Sequence, residues 1–136
     1  MAQKPAFETL EVYQLADRLA AGVWPLVMAW SHFARDTIGK QLVRAADSVG
    51  ANLAEGYGRG SYADNKRFIH IARGSLNETI CWIRRAAARG LFTVEQVTPL
   101  LAIADELGPR LNKYLEYISQ QLKKKATPGR PPPPKG

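Results

Sequence analysis

The chain has 136 residues, 46% of them hydrophobic and 23% charged, with a formal net charge of +7; this length suits one domain that buries roughly two-thirds of its unfolded surface, and the apolar content argues against a disordered body. A single cysteine, Cys81, excludes an internal disulfide and a thiol metal pair. No apolar run approaches the roughly 18 residues of a membrane span and Met1 to Pro5 lack a signal-peptide core, so a cytoplasmic protein outside the membrane is expected.

The charge is unevenly placed. Five of the 19 basic residues, Lys123, Lys124, Lys125, Arg130 and Lys135, fall in residues 123–136, which hold no acid, so the body carries only +2. The expected organisation is a flexible start over 1–6, a helical body over 7–122, and a basic, proline-rich tail over 123–136 that Pro131 to Pro134 keep from forming helix.

From Phe7 to about Trp30, the residues Leu15, Ala16, Leu19, Val23 and Leu26 recur at spacings of three and four, which predicts a first helix. Pro25 removes a backbone donor and should kink or restart it near Trp24. Asp36 or Thr37 can cap a second helix whose Ile38, Leu42, Ala45, Val49 and Leu53 fall within an arc of about 80°. The stretch Gly56-Tyr57-Gly58-Arg59-Gly60 should end it. The third helix opens at Ser61 with a capping-box spacing to Asp64 and runs to about Arg89, with Gly90 as its stop. Its expected buried stripe is Phe68, Ala72, Ser75, Leu76, Thr79, Ile83 and Ala86. A second capping box, Thr93 to Gln96, starts a fourth helix with Val97, Leu100, Ala104, Leu107, Leu111, Tyr114 and Ile118 inward, although Thr98-Pro99 offers another start and Pro109 should kink it. No stretch alternates as a half-buried strand would, and the connections are short. The fold expected is all-α, an antiparallel up-down-up-down four-helix bundle.

Candidate chemistry is sparse. The Gly56–Ser61 loop could cradle phosphate before a helix start, but it follows a helix and matches no nucleotide fingerprint, so a plain turn is the simpler reading. His32 and His70 lie on different segments, with Asp36 the one carboxylate at i, i+4 spacing, and make no metal site. Glu55 and Glu78 could act as acid and base, yet Arg59 stands at i+4 from Glu55, and a carboxylate in a bundle can equally bridge helices or subunits. No cofactor motif or nucleophile is present, so no enzyme is expected. Gln41, Arg44, Ser48, Asn52 and Glu55 form a polar stripe beside the second helix's core face, open to solvent or to hydrogen bonds with a neighbouring helix or subunit. On the third helix Lys66, Arg73 and Arg84 fall within about 20° of one another, with His70 and Asn77 near them and Arg67 and Arg85 to one side. Such a stripe suits phosphate or plain solvation, and a ring of subunits would repeat it and add its field.

The segments Gln41 to Val49, Ala51 to Gly56, Ile71 to Glu78 and Phe7 to Val12 resemble the four-helix-bundle proteins encoded by intervening sequences in bacterial 23S ribosomal RNA genes, over about residues 7–120. The resemblance implies a homopentamer, and relatives that serve as accessory proteins to reverse transcriptases of diversity-generating retroelements. The matched positions are Ser48, Asn52, Glu55, Gly56, Arg59, Gly74, Ser75 and Glu78. Together with the helix reading they point to Arg59, Lys66, Arg67, Arg73, Arg84 and Arg85 as contacts to RNA or DNA, and to Arg44, Ser48, Asn52, Glu55 and Glu78 as oligomer or interhelix contacts. The competing reading is a protein-interaction scaffold whose proline-rich tail presents a docking segment.

Overall fold

The computed structural model describes residues 5–124, and all regular structure among them is helical. A 3-10 turn, Ala6–Thr9, leads into α1, Glu11–Met28. A short helical turn at His32–Ala34 and a π-helical turn at Arg35–Gly39 feed α2, Lys40–Gly58. Two longer helices follow, α3 over Tyr62–Ala88 and α4 over Val94–Lys124. Helices α1 and α3 each pack against both α2 and α4, so the four enclose one core as a bundle.

The core follows the helical periods closely. All five inward residues expected of α2 are buried, as are Leu15, Ala16, Leu19 and Val23 of α1, where Val27 takes the place assigned to Leu26. In α4 every expected residue is buried except Val97, which is half-buried, and Gln121 joins them. In α3 Ala72, Leu76, Thr79, Ile83 and Ala86 are buried as expected, and the stripe differs only in its first half. Tyr62, Asn65 and Ile69 face inward, while Phe68 and Ser75 are half-buried. The Phe68 ring lies at the edge of the core, with the Arg67 guanidinium 4.5 Å from its centroid and that of Arg59 at 5.5 Å.

Both capping boxes start helices where expected. Ser61 Oγ accepts from the Asp64 N–H at 3.1 Å. Thr93 Oγ1 accepts from the Gln96 N–H at 3.2 Å while Gln96 Oε1 accepts from the Thr93 N–H at 2.9 Å. The two stops, Gly60 and Gly90, have φ of +79° and +77°, a region that favours glycine.

Two expectations are corrected. Neither Asp36 nor Thr37 caps the second helix. Ser31, in extended backbone, accepts from the Ala34 N–H at 3.3 Å, and Thr37 Oγ1 donates back to the Phe33 carbonyl at 2.8 Å, as a hydroxyl inside a helix does. No helix restarts at a proline. α1 runs through Pro25, and α4 runs from Val94 through Pro99 and Pro109, with Thr98 Oγ1 donating to the Val94 carbonyl at 2.7 Å rather than capping a new start. Each proline deprives one carbonyl four residues back of its donor, and those carbonyls belong to the exposed residues Ala21, Glu95 and Asp105. The stretch Gly56–Gly60 ends α2 as expected, with Gly58 the last helical residue and Arg59 its cap, and Gly56 itself still lies within the helix. It is buried against α3, where a Cβ would lie 2.7 Å from Phe68 Cβ and 2.8 Å from Asn65 Oδ1. The expected tail falls outside the described residues apart from Lys123 and Lys124, which close α4, and of the expected flexible start residues 1–4 lie outside them too.

Side-chain bonds tie the elements together. Asn65 Nδ2 donates to the Tyr114 hydroxyl at 3.1 Å between α3 and α4, and Trp30 Nε1 donates to the Leu91 carbonyl at 2.9 Å with its ring edge-on to Phe92. Gly56→Ala is expected to lower stability by about 1–3 kcal/mol through overpacking. Gly58→Ala, in the exposed last turn of α2 where a Cβ would meet nothing within 4 Å, should raise it by up to about 1 kcal/mol through helix propensity. Chemical denaturation of the two variants checks both signs.

Candidate nucleic-acid interface

Two outward faces run along α3. The first holds Lys66, His70, Arg73, Asn77 and Arg84, of which His70, Asn77 and Arg84 are exposed and Lys66 and Arg73 half-buried. Among the described residues none of its three cations has an acidic partner. Arg73 Nη1 instead donates to the neutral Asn112 Oδ1 on α4 at 3.0 Å, which holds the guanidinium over the α3–α4 seam with its charge uncompensated. From Lys66 to Arg84 the face extends about 27 Å at roughly 1.5 Å per residue.

The other three cations expected to meet phosphate are held differently. Arg59 lies 3.4 Å from Glu55 and 3.8 Å from Asp64, and Arg67 lies 3.8 Å from Asp64, all around the Phe68 ring at the α2–α3 turn. These pairs are solvent-exposed, worth roughly 0–1 kcal/mol each, and exchange readily for a phosphate. Arg85 rests over the Trp82 ring at 5.0 Å. The structure therefore gathers Lys66, Arg73 and Arg84 on one face, puts Arg59 and Arg67 at one end beside two carboxylates, and sets Arg85 to the side.

The second face of α3 carries Ile71, Gly74, Ser75, Glu78 and Trp82. Ile71 is 42% exposed, and Glu78 Oε2 accepts from Trp82 Nε1 at 3.2 Å. Gly74 is unusual. Gly22, Gly39, Gly50 and Gly56 each face another element so closely that a Cβ would meet it within 3.3 Å, whereas at Gly74 a Cβ would meet nothing within 4 Å. A glycine inside an exposed helix costs about 1 kcal/mol relative to alanine, and no contact among the described residues offsets that. It leaves a flat stretch of backbone beside an exposed isoleucine, a shape that admits close approach of another helix.

On α2, Gln41, Arg44 and Glu55 are exposed and Ser48 and Asn52 half-buried. Asn52 Nδ2 donates to the Ser48 carbonyl within the same helix at 2.8 Å rather than to a neighbouring one. Burial against the small residues of α1 and α2 raises the Asp47 carboxyl above its ordinary range. No group of three or more potential metal ligands occurs among the described residues, and no helix there is long and apolar enough to cross a membrane.

One cationic region escaped the periodic reading. Arg35, Lys40 and Arg44 flank an apolar groove beside Trp24 and Met28. At a uniform 100° per residue Arg35 and Lys40 point about 140° apart. The π-helical turn, in which the Lys40 N–H bonds to the Arg35 carbonyl, brings them onto one side.

Among known proteins, a family model described as 23S rRNA-intervening sequence protein matches residues 8–113. The structure is similar to the crystal structure of a protein of unknown function from the S23 ribosomal protein family of Bacteroides thetaiotaomicron, with a TM-score of 0.68 at 24% identity over 76% of this chain and 97% of that one. No curated protein matches.

Proposed function

The chain belongs to the 23S rRNA-intervening sequence protein family, and from that membership we propose that it is a non-enzymatic, homo-oligomeric nucleic-acid-binding accessory protein. In this reading antiparallel bundles assemble through the Ile71–Gly74–Glu78 face of α3 and the Ser48–Asn52–Glu55 stripe of α2 into a ring, a homopentamer, and the Lys66–Arg73–Arg84 face meets phosphate. The partner enzyme in this role is a reverse transcriptase of a diversity-generating retroelement.

The observation that carries the reading is the set of three uncompensated cations on one face of α3, immediately beside a glycine that the isolated chain does not need. A body of net charge +2 has little field of its own. Repetition of the stripe around an assembly concentrates positive charge and raises affinity for a polyanion. Contacts of this kind read backbone rather than sequence.

Filter binding of RNA and single-stranded DNA across a salt series tests the nucleic-acid part. Affinity should fall with log salt by roughly 0.7 per phosphate contacted, and Lys66→Glu with Arg84→Glu should weaken binding at least about tenfold. Absence of binding at low salt would contradict the reading. Gly74→Leu adds bulk to an open surface, so circular dichroism should be unchanged while size-exclusion chromatography shows smaller particles; an unchanged particle size would remove this face from the assembly.

A further inference from the structure

Between the last turn of α1 and the entry to α2 lies an open groove of about 460 Å³, within the roughly 300–1,000 Å³ typical of ligand sites. Its floor is aliphatic, formed by Val27, Gly39 and Val43, and Trp24 and Met28 stand along the α1 side. Trp24 is 56% exposed and Met28 47%. Large apolar side chains left in water together mark a contact surface. Gly39 is required where it stands, since a Cβ there would lie 2.7 Å from Val27 Cγ1 and 3.2 Å from the Ala34 carbonyl oxygen.

The rim is cationic. Arg35, Lys40 and Arg44 line it with Asp36 as its one acid, and none of the three cations is ion-paired among the described residues. The π-helical turn that stacks Arg35 on Lys40 is a geometry rare in helices and common at functional sites.

We propose that this groove docks an acidic amphipathic helix of a partner protein, its apolar anchors filling the floor over Val27, Gly39 and Val43 and its carboxylates meeting Arg35, Lys40 and Arg44. Charge complementarity selects this occupant. The chain's own tail is unsuited on two counts. Residues 125–136 bring Lys125, Arg130 and Lys135 and no acid to a cationic rim. They also start too far away. Trp30, which adjoins Gly39, bonds Leu91 just before α4, and the 31 residues of α4 then carry the chain about 46 Å off, more than the roughly 40 Å twelve extended residues span. A single-stranded nucleic acid prefers successive flat platforms, and here Trp24 and His32 edge an aliphatic floor. These cations are separate from those of α3, so the groove's occupant is independent of nucleic-acid binding there.

The test titrates the full chain into a fluorescein-labelled peptide of about four helical turns with leucine at i, i+3, i+4 and i+7 and glutamate elsewhere. Saturable anisotropy is expected, weakened about tenfold or more by Met28→Glu and likewise by Lys40→Glu, with helical circular dichroism and sedimentation mass unchanged. Met28 and Lys40 are exposed, so these variants retain the fold. Four results would each overturn the proposal: no binding of the glutamate peptide, equal binding of its lysine counterpart, displacement of the peptide by an oligouridylate that Met28→Glu also loses, or a fall in mass on Met28→Glu, which would make the groove an interface between copies.

Discussion

Gly56 has no room for a side chain, and much of the molecule is arranged around that fact. The backbone of α2 comes so close to α3 there that a methyl group would press on Phe68 Cβ and Asn65 Oδ1. This approach fixes the rotation of α3. It turns Asn65 inward, where its amide reaches the Tyr114 hydroxyl and joins α4 to the pair. The same approach leaves the Phe68 ring at the edge, under two guanidinium groups. With that rotation set, Lys66, Arg73 and Arg84 face outward on one side and Ile71 and Gly74 on the adjacent one. The surface chemistry of α3 is thus a consequence of a packing contact on its opposite side.

The helices were legible because burial in a bundle imposes a period that the apolar residues must keep. Ser61 and Thr93 were equally legible, since a cap acts on the next three residues and needs no tertiary information. Whether a helix restarts at a proline was not legible, for the opposite reason. A proline's cost depends on whether the carbonyl it leaves unpaired can reach water, and that is settled by the face it occupies in the bundle: at Ala21, Glu95 and Asp105 it is the solvent face. The π-helical turn at Arg35–Gly39 has no sequence signal of its own, and so the grouping of Arg35, Lys40 and Arg44 was out of reach of a uniform helical wheel. On α3 the shared face of three cations could be read from spacing, while the compensation of Arg59 and Arg67 by Glu55 and Asp64 depends on how the chain folds back at the α2–α3 turn.

The functional account combines a family membership with a distribution of charge and surface shape. A bundle of ordinary core composition needs neither a bare glycine in the middle of α3 nor three cations beside it without acids. Both features gain a purpose when copies of the chain come together: the glycine admits a close neighbour, and the cations of several subunits sum into a field that one subunit of body charge +2 lacks. Assembly is therefore the premise on which the nucleic-acid reading stands.

The most direct measurement is the native mass of the unmodified protein in solution, by light scattering or native mass spectrometry. The account expects a single species at about five times the 15.0 kDa chain mass. A monomer at 15.0 kDa across the accessible concentration range would contradict it.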